Sequence, residues 1–263
     1  MDPVSVIQGS SPLILAQPHS GTWVPSEVAA MLNEKGAQLL DTDWRIPELY
    51  DGLLEGATTV RANFNRYVID ANRPPDGESL YPGQNTTGLV PMATFDDHPI
   101  WVQAPGKAQI AHRLEKYHQP YHTALQAEID RVRTQHGFAV LYDCHSIRSS
   151  IPYLFDGRLP DLNIGTNSGL SCSPVLERAA ADCCAASEDF TSVLNGRFKG
   201  GWTTRHYGQR ENGVHAVQME IAQSAYLDSE MPPFAVSAQK SAQLRALLSR
   251  VFQSIQQTFG DLK

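Results

Sequence analysis

The sequence predicts an α/β fold: a mixed, mostly parallel central sheet with helices on both faces. Short apolar runs that stop abruptly at polar residues, Pro12 to Ala16 and Phe138 to Tyr142, have the length and unbroken character of strands buried on both sides. Stretches with apolar residues every three or four positions lie between and after them, notably Lys107 to His136 and Val236 to Phe259. Strands alternating with helices close into a parallel sheet covered on both sides. At 263 residues the chain is near the upper size for one hydrophobic core, and residues 1–263 are read as a single domain.

Taken in order, Ser26 caps a helix reaching about Leu40, with Val28, Met31, Leu32 and Leu39 on its apolar side. Asp41-Thr42-Asp43 caps a second helix from Trp44 to Leu54. Thr58 to Ala62 and Tyr67 to Ile69 read as short strands joined by an Asn-Phe-Asn-Arg turn. Residues from about 72 to 105 are rich in proline and glycine, and a loop of that length in a compact domain is usually functional. The helix of Lys107 to His136 should kink at Pro120 and end at Gly137, just before the strand that leads to His145. Residues 146–173 and 196–213 read as further long loops, separated by a helix from Pro174 to Ser187 and a strand from Phe190 to Leu194. Val214 to Ala222 is a strand whose period of two sets Ala216, Gln218 and Glu220 on one face.

A formal charge of −7 argues against a general nucleic-acid or anionic-membrane surface, while leaving room for a small anionic substrate bound by local arginines. The N-terminal residues have no basic segment and no apolar run long enough for a signal peptide or a membrane span, so a cytoplasmic location is expected. Cys144, Cys172, Cys183 and Cys184 form no CxxC pair and are expected as bystander thiols.

Chemistry concentrates where strands end. His19 and His145 each follow an apolar run, and with Asp43 they match the three-protein-ligand pattern of catalytic zinc, which keeps a fourth position for water. Asp41 is the rival carboxylate. Asp143 shares a strand face with His145 and could orient its imidazole. Glu220 is the candidate general base, because a glutamate on an otherwise apolar strand is costly to bury without a purpose. His206, in a glycine-rich stretch, is a candidate proton donor or substrate hydrogen-bond donor. His118 and His122 have the spacing of HExxH but no glutamate and a proline between them, and are expected on a helix surface. Arg66, Arg73, Arg148 and Arg205 sit in predicted turns or loops and are candidates for binding substrate carboxylates.

Several long segments, PHSGTWVP, DTDWRIPELYDG, NRYVIDANRPPDGESLYPGQNTTGL, LYDCHSIRSSIPYLFDGRLPDLNIGTN and GGWTTRHYG with GVHAVQMEIAQSAY, together resemble the N-formylglutamate amidohydrolase family. The resemblance implies a phosphorylase/hydrolase-like, zinc-carboxypeptidase-like fold. It also implies hydrolysis of N-formyl-L-glutamate to formate and L-glutamate in histidine degradation. His19 and His145 then stand as the metal histidines and Glu220 as the base; Asn72-Arg73 resembles a carboxylate-holding Asn-Arg pair. Thr22 stands where related enzymes carry a glutamate ligand, which leaves Asp43 to complete the set; Asp96-Asp97 and Gln209-Arg210 stand where glycine and proline are expected. Other readings of the same residues are a zinc-dependent deacylase of another N-acyl amino acid, of the aminoacylase, desuccinylase or cell-wall amidase type, and a non-catalytic small-anion binding protein.

Overall fold

The computed structural model describes residues 1–80 and 83–262, so residues 81 and 82 of the long loop predicted at 72–105 lie outside the described residues. Seven strands form one sheet: β1 (Val4–Ile7), β2 (Leu13–Gln17), β3 (Thr58–Ala62), β4 (Ala139–Ile147), β5 (Leu162–Gly165), β6 (Ser192–Leu194) and β7 (Val214–Ala222), in the order β1-β3-β2-β4-β7-β5-β6. The central four, β3-β2-β4-β7, run parallel, while β1 joins β3 and β5 joins β7 in antiparallel fashion. The helices are α1 (Ser26–Ala29), α2 (Ile46–Tyr50), α3 (Lys107–Arg113), α4 (Gln119–His136), α5 (Pro174–Ala185), α6 (Trp202–Tyr207) and α7 (Ala238–Gln257).

Alternation along the strands builds two cores. Leu13 and Leu15 of β2, Val140 and Tyr142 of β4, and Val217 and Met219 of β7 pack on one face with residues of α2, α5 and α7. Ile14 and Ala16, Leu141, Ala216 and Val60 pack on the other with Tyr121, Leu125, Ile129 and Val132 of α4. The second face changes character halfway along: β4 runs Ala139, Leu141, then Asp143 and His145, and β7 runs Val214, Ala216, then Gln218 and Glu220. Helix α4 covers the apolar half. The polar half meets α6, where the Thr204 hydroxyl donates to Asp143 at 3.0 Å and the Gly201 N–H donates to Gln218 at 2.6 Å.

Local expectations fail where tertiary contacts outweigh them. The helix expected from Ser26 to Leu40 stops at Ala29, and the Asn33 carboxamide takes the Gly36 N–H and donates to the Pro99 carbonyl. The helix expected from Trp44 to Leu54 is only α2, because Arg45 lies in the left-handed region at φ +63°. Strand β5 and helix α6 fall inside segments read as loops, and Tyr67 to Ile69, read as a strand, is a buried turn and extended segment. Pro120 produces a π-helical turn over Leu114–His118 in place of a simple kink, which frees the carbonyls that its ring would otherwise meet.

His118 and His122, expected on the surface, are buried. Among the described residues the segment from Val68 to Arg73 has no strand partner for its carbonyls, and side chains of the α3–α4 helical run bind three of them instead. Arg113 Nη1 donates to the Val68 carbonyl at 3.1 Å, His122 Nε2 to the Ala71 carbonyl at 2.8 Å and His118 Nε2 to the Arg73 carbonyl at 2.9 Å. A carbonyl only accepts, so both rings carry their hydrogen on Nε2. Burial holds His122 well below the usual imidazole range, with His118 adding to the effect. Folded His122 therefore refuses a proton that the unfolded chain takes up below its ordinary pKa of about 6.5. Stability from this residue is present above that pH and is lost as pH falls through it. His122→Gln, which can still donate but cannot titrate, should lose less unfolding free energy between pH 7.5 and 5 than the wild type, measured by denaturant titration.

Candidate metal centre and substrate cavity

Three sequence-distant segments converge at the carboxyl ends of the central strands. His19 leaves β2 after Pro18, and His145 sits near the end of β4. The Asp43 N–H donates to the His19 carbonyl at 3.1 Å, a main-chain tie that brings the carboxylate to the histidine. Gly21 lets the loop lie against β3, since a Cβ there would meet the Ala62 and Asn63 backbone at 2.5 Å.

The ligand-type atoms of His19, Asp43 and His145 all lie within 4.8 Å of one another, and all three residues are buried. Asp43 Oδ2 is 3.1 Å from His145 Nδ1 and 3.7 Å from His19 Nδ1. The far nitrogens are engaged as well. His19 Nε2 is 2.6 Å from Asp70 Oδ1, and His145 Nε2 is 3.1 Å from Asn72 Nδ2 and 3.0 Å from Asp143 Oδ1. Two imidazoles and one carboxylate, each imidazole held from behind by an acid, form a donor set that could hold a metal ion. Asp41 is not part of it: its Oδ2 accepts from the Tyr67 hydroxyl at 2.7 Å and the Phe95 N–H at 2.9 Å.

Charge balance points the same way. Asp43, Asp70, Asp143 and Glu220 are all buried around the site, and Arg66 pairs with Asp70 at 2.7 Å and lies 3.8 Å from Asp43. Burial would raise the Asp70 carboxyl, but His19, Arg66 and Arg73 outweigh it and hold it well below the usual carboxylate range. Burial and Arg66 push His19 down despite Asp70. At His145 burial is outweighed by Asp143 and Asp43, which hold the imidazole well above its usual value. Glu220 lies beside His145 in the strand register, and burial pushes it up to about 8. A buried excess of carboxylates over cationic groups, with Glu220 keeping its proton, is an electrostatic setting that a bound cation would balance.

A cavity of about 640 Å³, counted out to its open mouth, lies above this cluster. That is within the roughly 300–1,000 Å³ of small-molecule sites. Its floor holds His19, His145, Glu220 and Asn72, and its walls include Arg66, Arg73 and Gln218. A family model described as N-formylglutamate amidohydrolase matches residues 11–227.

The chain belongs to the N-formylglutamate amidohydrolase family.

It is 47% identical to an N-formylglutamate deformylase of Pseudomonas aeruginosa, over 97% of each chain. It is 45% identical to another from Pseudomonas putida, over 97% of this chain and 96% of that one. A crystal structure of N-formylglutamate amidohydrolase from Ralstonia eutropha shares the fold at TM-score 0.80 and 21% identity, covering 97% of each chain. A gene product of Agrobacterium tumefaciens does so at TM-score 0.74 and 18% identity, over 98% of this chain and 96% of that one.

In this family member the structure brings together His19, Asp43, His145, Glu220, Arg66, Asn72 and Arg73, but it does not bring Arg148, Arg205 or His206 to the cavity. Arg148 is turned to Asp96 at 2.7 Å. Arg205 and His206 lie in α6, which buries Thr203, Thr204 and Tyr207; Arg205 Nε donates to the Gly200 carbonyl, and the exposed His206 ring stacks on Trp202. Sequence reasoning missed Asp70, whose signal is a carboxylate set in the apolar run Val68-Ile69-Asp70-Ala71, and it missed Arg197 on the cavity wall. Asp97, where glycine was expected, adopts φ +63°.

Replacing any of His19, Asp43 or His145 with Ala should abolish stoichiometric metal in protein purified and dialysed against divalent cations, measured by elemental analysis. Asp70→Asn should weaken metal affinity by about 10–100-fold while keeping the fold, read by competition with a chromogenic chelator.

Proposed function

We propose that this chain is a zinc-dependent amidohydrolase that hydrolyses N-formyl-L-glutamate to formate and L-glutamate, as expected of a cytoplasmic enzyme of histidine degradation. The observation that carries the reading is the convergence of His19, Asp43 and His145 beside Glu220 at the floor of a cavity walled by arginines. The names of the Pseudomonas relatives support the substrate. The donor set, two imidazole nitrogens and a carboxylate oxygen with outer acids behind them, supports zinc and a carboxypeptidase-like arrangement.

His19, Asp43 and His145 would hold the zinc, which would supply a Lewis acid for the formyl oxygen and lower the pKa of water to about 7. The chain's own residues do the remainder. Glu220 accepts the proton of the attacking water and delivers it to the departing glutamate nitrogen. With only protein groups around it the Glu220 carboxyl holds its proton to about 8, and positive charge in the neighbouring cluster returns it to the ionised form that a base requires. Gln218 Nε2 lies 3.1 Å from Glu220 Oε2 and fixes the carboxylate's rotation. Asn72, whose amide spans from His145 to the Thr203 N–H at 2.8 Å, and Arg73, tied to Thr87, face the cavity as partners for the α-carboxylate.

Formate release from N-formylglutamate, lost on chelation and restored by zinc, tests the reading; retained hydrolysis after complete metal removal refutes it. Glu220→Gln should keep bound metal and lose roughly 10²–10⁴-fold in kcat. N-formylleucine, which lacks the distal carboxylate, should be a poor substrate, because it leaves a cavity arginine unpaired. Equal turnover of both compounds would refute carboxylate selection.

A further inference from the structure

We propose that Arg197 is the residue that selects the distal, side-chain carboxylate of the substrate. This rests on the functional reading above and deepens it. Three arginines line the cavity, and their charges are not equally available. Arg66 is fully committed, paired with Asp70 at 2.7 Å, close to Asp43, and laid over the Phe95 ring at 4.8 Å. Arg73 follows Asn72, whose amide touches the metal-cluster histidine His145, so it stands beside the reacting end of the cavity.

Arg197 differs from Arg66 in its partners and from Arg73 in its place on the wall, against Leu154 and Asn85 where Arg73 lies against Thr87. It sits between β6 and α6, partly exposed, where its Nε donates to the Leu154 carbonyl at 3.2 Å and its Nη2 to the Asn85 carbonyl at 3.3 Å. Those carbonyls are neutral, and among the described residues no carboxylate lies within 4.0 Å of the guanidinium. Two of its five N–H groups are used, which leaves Nη1 and one hydrogen of Nη2 for a bidentate partner. The neighbouring Phe198 ring, 5.5 Å from the guanidinium carbon, and Leu154 make this part of the wall apolar, which suits the two methylenes of a glutamate side chain.

The geometry of the substrate assigns the ends. In an N-acyl amino acid the α-carboxylate is separated from the scissile nitrogen by one carbon, so it must stay near the cluster, within reach of Asn72 and Arg73. A carboxylate two methylenes further along extends toward the wall made by the loops carrying Asn85, Leu154 and Arg197. Arg197, held in place by two carbonyls and lacking an acidic partner, supplies the missing counter-charge there.

The test compares N-formyl-L-glutamate with N-formyl-L-norvaline, which has the same carbon chain ending in a methyl group. Arg197→Met should lower kcat/KM for N-formylglutamate by roughly 10- to 150-fold, mostly through KM, the size of one charge-assisted hydrogen bond. Its kcat/KM for N-formylnorvaline should equal the wild-type value, and Arg197→Lys should recover part of the loss on N-formylglutamate only. Equal loss on both substrates would mean that Arg197 merely holds the loops together and would overturn the proposal, as would undiminished activity on N-formylglutamate. Wild-type protein that cleaves neither compound overturns the functional reading and this assignment together, whereas a variant-specific loss on both overturns only the assignment.

Discussion

Buried negative charge is the constraint on which the rest of the molecule depends. Asp43, Asp70, Asp143 and Glu220 are packed around two imidazoles, with the buried Arg66 guanidinium set against Asp43 and Asp70. Carboxylates brought together away from water repel one another strongly unless they are neutralised or paired. The chain answers with opposed adjustments. Asp70 stays ionised against His19 and Arg66, whereas Glu220 and His145 both hold protons more tightly than they would in water. A cation held by His19, Asp43 and His145 would relieve the same strain. A cation bound there and the ionisation state of Glu220 would thereby be parts of one charge balance.

Support for the site is divided among elements that differ in regularity. The sheet carries His145 and Glu220 on adjacent parallel strands, where the position of a side chain follows from residue number. The segment carrying Asp70, Asn72 and Arg73 has no such frame, and three side chains of the α3–α4 run bind its carbonyls in place of a neighbouring strand. Asn72 is fixed again from α6, where Gly201 leaves room for its side chain: a Cβ there would sit 2.4 Å from the Asn72 amide. Irregular backbone inside a domain survives only when such partners exist, and here Arg113, His118 and His122 are themselves buried.

What the sequence disclosed follows the same division. The strands ending at His19 and His145 and the strand of Val214–Ala222 were legible because unbroken or alternating apolar patterns need few assumptions, and with them came His19, His145 and Glu220. Asp43 was legible as the third carboxylate ligand beside His19 and His145, but not the means that brings it there, a main-chain bond between distant loops. Helix α6 has six residues after two glycines and carries no periodic signal, so Arg205 and His206 were read as loop residues free to face the site. The histidines of α4 were misread for another reason. A missing glutamate and an intervening proline argued against a metal motif and left a helix surface as their expected place, whereas both rings are buried beside a π turn and bind carbonyls of the segment from Val68 to Arg73. Arg197, one of several loop arginines, becomes distinct only when the fold places it on the cavity wall against the Leu154 and Asn85 carbonyls.

The register between β4 and β7 sets Ala139 beside Val214 and Leu141 beside Ala216 in the apolar half, then His145 beside Glu220 in the polar half. One ladder therefore serves as a ruler for two properties. A slip of one residue would turn the acids into the hydrophobic core, and a slip of two would keep every face correct yet place His145 opposite Gln218 or Ala222. Substitutions in the covering helices can be absorbed by repacking, since volume and polarity can be restored from many directions. An insertion or deletion within either strand has no such remedy, because it offsets the count by which the apolar half tells the polar half where to be.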